Sequence, residues 1–123
     1  VSYSIRIDAK RRVVHVVVSD TCDGKEVPRM ATFARTAAAA RGFNILYDIR
    51  DALAHNLETA DVFWWPRKLE VLRSVEARRM RTAVLHVPAQ RELAQFWETA
   101  YRNLGFKASA FEEEAAAFGW LAG

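Results

Sequence analysis

The sequence predicts an α/β fold: a five-stranded mixed sheet, antiparallel in its first hairpin and otherwise mainly parallel, with about four helices in the order ββαβαβαβα. Three observations predict it. Short alternating or β-branched segments recur between amphipathic ones, the first two of them are separated only by Ala9 to Arg12, and Gly or Pro stands at most changes of period.

Tyr3 to Asp8 alternates apolar and polar residues, and Val13 to Ser19 is a β-branched run, so these are the first two strands. Their four-residue connection is of hairpin length, which makes the pair antiparallel. Apolar side chains on both faces of the second strand place it inside the sheet. Asp20 to Gly24 is rich in turn formers, and Asp23 with Glu26 has capping-box spacing for the helix that follows, although Pro28 allows a later start. In that helix Met30, Ala31, Ala34 and Ala38 form the buried stripe, with Arg29, Thr32, Arg35 and Thr36 mostly off it and Gly42 as the stop. The third strand is Asn44 to Asp48, and Ile49 to Asn56 reads as a loop.

A short helix over Glu58 to Trp64 is expected next, then a kink or restart at Pro66 and a longer helix to about Arg79, because proline lacks a backbone donor and disfavours a helical residue before it. Thr82 to Val87 is the fourth strand. From Gln90 to Leu104 the residues Leu93, Phe96, Trp97, Ala100, Tyr101 and Leu104 step by three and four, which defines a helix that Gly105 closes. Phe106 to Ala110 is a fifth strand, and a last helix runs from about Glu112 to Leu121 with glutamates in its first turn, where the backbone dipole favours them.

Composition narrows the function classes. The 123 residues are expected to form one domain over 1–123, since 51% are hydrophobic and no linker or repeat interrupts them. A lone Cys22 cannot make an internal disulfide, and no stretch has the length of a membrane span or the pattern of a leader, so a cytoplasmic protein is expected. The net charge of +3 is local: residues 1–61 carry nine basic and eight acidic groups, whereas Arg67 to Arg81 carries six basic residues against Glu70 and Glu76. Such a run reads as a solvated helix face, and no specific nucleic-acid partner is expected. His15, His55 and His86 with one Cys show no metal-ligand spacing, and the five glycines form no phosphate loop, so neither metal nor cofactor is expected.

Ligands of open α/β sheets bind beyond the carboxyl ends of parallel strands. That edge gathers Asp48, Arg50, Asp51, His55 and Asn56 with the loop at Pro88 to Gln90, and these five residues are the candidate binding loop. The bland alternative is that the aspartates cap backbone or pair with Arg50. Phe63, Trp64 and Trp65 are adjacent, and helical neighbours project about 100° apart, so they cannot all enter one core stripe. They are the candidate interface or apolar pocket.

The element order, the strand Ile45-Leu-Tyr-Asp48 leading to a helix, and the ending Phe111-Glu-Glu-Glu-Ala-Ala-Ala-Phe-Gly-Trp-Leu121 resemble the SpoIIAA-like, or STAS-like, bacterial domains, a grouping associated with the SEC14 fold. The resemblance covers nearly the whole chain and carries no catalytic residues. In the anti-sigma-factor antagonists of this fold a serine after the third strand is phosphorylated; Leu57 stands at that position here, and Thr59 is the one nearby hydroxyl, so no phosphorylation switch of that kind is expected.

Three functions follow as expectations. The first is a non-enzymatic module that docks to a protein partner or to itself as a homodimer. The second is a carrier or sensor of a small hydrophobic, lipid-like ligand, and the third is a small enzyme using the loop after the third strand.

Overall fold

The computed structural model describes residues 3–21, 26–53 and 78–123. Strands β1 (Tyr3–Asp8), β2 (Val13–Thr21), β3 (Asn44–Leu53), β4 (Arg81–Leu85) and β5 (Lys107–Phe111) form one sheet in the order β1-β2-β3-β4-β5. Only β1 and β2 pair antiparallel; the three other pairings are parallel. Among the described residues the helices are α1 (Glu26–Arg41), α2 (Arg91–Asn103) and α3 (Glu114–Ala122), and a 3-10 turn over Pro88–Gln90 precedes α2. The helices expected between Glu58 and Arg79 lie outside the described residues except for their end, where Arg78 and Arg79 are helical.

β2 is interior, as its two apolar faces require. Val14, Val16 and Val18 are buried with Met30, Ala34 and Ala38 of α1 and Trp97 and Tyr101 of α2. On the opposite face Val13 is buried with Leu46, Ala83, Leu85 and with Ala117 and Leu121 of α3. The sheet therefore separates an α1/α2 face from an α3 face.

Both long helices end where the sequence places glycine. Gly42 has φ +69° and Phe43 N–H donates to Ala38 C=O at 3.0 Å; Gly105 has φ +88° and Phe106 N–H donates to Tyr101 C=O at 3.1 Å. A left-handed residue followed by that back-bond satisfies carbonyls the helix leaves free. Trp97, Tyr101 and Phe106 then stack in series, with centroids 5.0 and 5.5 Å apart. α3 is tied at its far end by Asn44 Nδ2, which donates to Leu121 C=O at 2.8 Å, and by Arg81 Nη1, which donates to Trp120 C=O at 2.7 Å.

Four expectations are corrected. The third strand does not end at Asp48: Ile49 to Leu53 continue it, and β2 extends through Asp20 and Thr21 to pair with Ala52 and Leu53. The fourth strand stops at Leu85, although His86 N–H still donates to Phe111 C=O at 2.9 Å. α3 begins at Glu114, with Glu113 at the N-cap and Glu112 bonded to Arg91 instead of the helix. Arg35, placed mostly off the α1 stripe by its charge, is 2% exposed and belongs to the buried side of that helix.

Candidate functional site

The described part of the expected binding loop, to Leu53, is a bulged strand. From Asp48 to Asp51 β3 takes three steps while β2 takes two from Val17 to Ser19, so one residue of β3 is extra. A bulge takes backbone groups out of the ladder, and these need other partners. Asp48 supplies one: its Oδ1 accepts the Arg50 backbone N–H at 3.2 Å. The same carboxylate holds the Arg50 side chain through Nε at 2.9 Å and Nη2 at 2.8 Å. From the α2 side Gln90 Nε2 donates to Ile49 C=O at 2.6 Å and Ala52 C=O at 3.2 Å, while its Oε1 accepts Val87 N–H at 3.1 Å. Asp48 and Gln90 thus stitch the bulge, and Gln90 ties it to the loop after β4.

Burial alone would push the Asp48 carboxyl up; the Arg50 side-chain and backbone bonds outweigh it and hold the group below the usual carboxylate range. Arg50 also lies 3.7 Å from Glu114, and Asp51 is exposed beside it. Asp48 and Arg50 are therefore brought together as a pair. His55, Asn56, Leu57, Thr59, Phe63, Trp64, Trp65 and Cys22 lie outside the described residues.

Beyond the ends of β4 and β5 an open cleft of about 480 Å³ is lined by His86, Arg91, Glu98 and Glu112 among others. His86 Nδ1 faces Val87 C=O at 2.9 Å, and since a carbonyl only accepts, Nδ1 is the donor. The charged walls of the cleft are engaged with one another. Arg91 donates to Glu112 at 2.9 and 2.7 Å, and Glu98 accepts Ala110 N–H at 2.6 Å while lying 3.5 Å from Arg102. Among the described residues no three His, Cys, Asp or Glu converge on a metal position.

The Glu98 and Arg102 contacts form a second local device. His86 N–H bonds to Phe111 C=O, so Phe111 faces β4, and the alternation of a strand turns Ala108 and Ala110 outward. Glu98 takes the Ala110 N–H, and Arg102 Nε donates to Ala108 C=O at 2.6 Å. Two side chains of α2, four residues apart, occupy hydrogen-bonding positions a sixth strand would use. At the other end of the sheet β1 has no such cover: among the described residues nothing beyond β2 bonds to its backbone. Its Tyr3 and Ile5 pack on the α1/α2 face, and Ile7 is 38% exposed.

Behind β1, His15 Nδ1 lies 3.2 Å from Arg6 Nη2. Arginine only donates, so His15 is protonated on Nε2, which has no partner among the described residues and sits beside the Phe118 ring, 6.0 Å away and edge-on. Burial, then the Arg6 charge, holds the imidazole below its usual pKa.

No protein-family model and no curated protein matches the chain. Among solved structures it is similar to an uncharacterised protein of the DUF3478 family with a SpoIIAA-like fold from Shewanella loihica PV-4, with 18% identity, a TM-score of 0.60, and coverage of 98% of this chain and 94% of that one. The fold is SpoIIAA-like.

Proposed function

We propose that the chain is a non-enzymatic interaction module that self-associates by antiparallel pairing of the open β1 edge with its copy. The observation that carries this reading is the asymmetry of the sheet edges: α2 side chains fill the outer side of β5, and among the described residues nothing covers the outer side of β1. An uncovered edge is a template for another strand. A twofold axis at Ile5 sets Ile5 opposite its counterpart, Tyr3 opposite Ile7 and Ser4 opposite Arg6, which matches apolar with apolar and opposes no like charges. The non-enzymatic part is supported by the Asp48–Arg50 pair and the mutually engaged charges of the cleft, which among the described residues leave no nucleophile beside a base.

In this proposal Phe63, Trp64 and Trp65 widen the contact, a cytoplasmic setting is read from the lone Cys22 of the sequence, and Arg50, Asp51, His55 and Asn56 form its polar rim, with buried Asp48 holding Arg50 in place. Sedimentation velocity across a concentration series tests it. A monomer–dimer equilibrium that Ile7→Lys weakens at least tenfold, about 1.4 kcal/mol, is the expected result. A protein that stays monomeric at several hundred micromolar overturns the reading. A dimer broken by Trp64→Ala and untouched by Ile7→Lys moves the contact to the aromatic segment and overturns edge pairing.

A further inference from the structure

We propose that Arg35 anchors the carboxylate of an organic acid with an apolar body, held between the sheet and helices α1 and α2. Its side chain is among the largest fully buried ones, at 2% exposure, and Nε and Nη1, which together carry three N–H bonds, have no acceptor among the described residues. The carboxylates of Asp8, Asp48, Glu98, Glu112 and Glu114 each lie against another arginine. Asp48 is the one buried acid described, and it belongs to the opposite face of the sheet, taken up by Arg50. A guanidinium does not give up its proton in a protein, so its charge has to be met by an anion.

The groups around it add donors and positive potential. Tyr47 and Tyr101 are buried, and the charge of Arg35 acts on both phenols. Burial pushes Tyr101 up to about 12 and raises Tyr47 as well, so both stay protonated and neither serves as a counter-ion. The Arg35 guanidinium stands 5.9 Å from the Phe106 ring, and that of Arg78 stands 5.6 Å from the same ring. Cations and phenols with no described acid select a ligand that only accepts hydrogen bonds. The apolar core on this face of the sheet, with Met30, Ala34, Ala38 and Trp97, favours a monoanion with an apolar body over a hydrated dianion. This site is independent of β1 pairing, and it gives the hydrophobic-ligand alternative a specific chemistry.

Octanoate, acetate and octanol, titrated into the full chain with Trp fluorescence and thermal melting as readouts, test the site, since Trp97 stacks on Tyr101. Saturable binding of octanoate is expected, with acetate at least tenfold weaker and octanol without effect. Acetate as tight as octanoate overturns the apolar-body part, and saturable octanol binding overturns the anchoring role of the charge. Arg35→Met, which keeps the apolar stem, is expected to weaken octanoate at least tenfold and to leave the ligand-free melting temperature equal or higher, because an unmatched charge is removed. A lowered ligand-free melting temperature means that Arg35 has a counter-charge within the chain, and overturns the proposal. Tyr101→Phe, which deletes one hydroxyl and keeps the charge, is expected to weaken octanoate several-fold. No octanoate binding to the wild type, or equal binding by both variants, also overturns it.

Discussion

The two edges of the sheet solve the same problem in opposite ways. β5 runs parallel to its single neighbour, and α2 returns over it so that Glu98 and Arg102, an i, i+4 pair, present an acceptor to Ala110 N–H and a donor to Ala108 C=O. Among the described residues β1 is bonded by β2 alone, and no helix side chain bonds to its backbone. Two helix residues at the right spacing close an edge as a strand would, and an edge without them keeps its outward backbone groups open to another strand.

The comparison breaks most forcefully at β5. Glu98→Ala leaves a strand amide without its acceptor and is expected to cost about 1–3 kcal/mol, the range for an unmade hydrogen bond to a partly buried group. Arg102→Ala removes a half-exposed side chain and is expected to cost less, about 0.5–1.5 kcal/mol. Urea unfolding of the two single variants and the double variant checks this, and strictly additive losses would show that the two caps act separately. Opening β5 is also expected to give it the self-association proposed for β1. At β1 itself, Ile7→Lys is expected to weaken the dimer as above while changing monomer stability by no more than about 0.5 kcal/mol, as is usual for an exposed site.

How much of this was legible follows from particular residues. The glycine stops at 42 and 105, the hairpin, and the α2 stripe were readable because spacing and conformational preference agree there. The end of β3 was not, since Arg50 and Asp51 carry loop-like polarity. An alternation of apolar and polar does run from Tyr47 to Arg50, and the bulge after Asp48 then shifts it. Arg35 stands four residues after Ala31 and three before Ala38, which is core spacing, and its charge argued the other way. Of the candidate loop residues, Asp48 and Arg50 do converge, but on each other. Neither the β5 cap nor the role of Gln90 was visible, because both depend on which backbone groups the strands leave unpaired.

The smallest effect sharpens β1 through His15, which bonds to Arg6. Its native pKa lies below its unfolded value of 6.5, because burial and then the Arg6 charge disfavour the cation. The unfolded chain therefore binds the proton more readily, so this contribution is present above pH 6.5 and is lost as pH falls toward the native pKa. Asp48 acts in a separate window: its lowered carboxyl pKa gives stability above its ordinary 3.8 that fades at lower pH. Between pH 7.5 and 5.5 the urea midpoint is expected to fall modestly, and His15→Gln is expected to flatten that slope.

Amide hydrogen exchange at low and high protein concentration tests the edge asymmetry most directly. If β1 is the edge that pairs, amides of Tyr3–Asp8 gain protection as concentration rises, while those of Lys107–Phe111 stay unchanged. Concentration-dependent protection in β5, or none in β1 under conditions where the protein is dimeric, would contradict it.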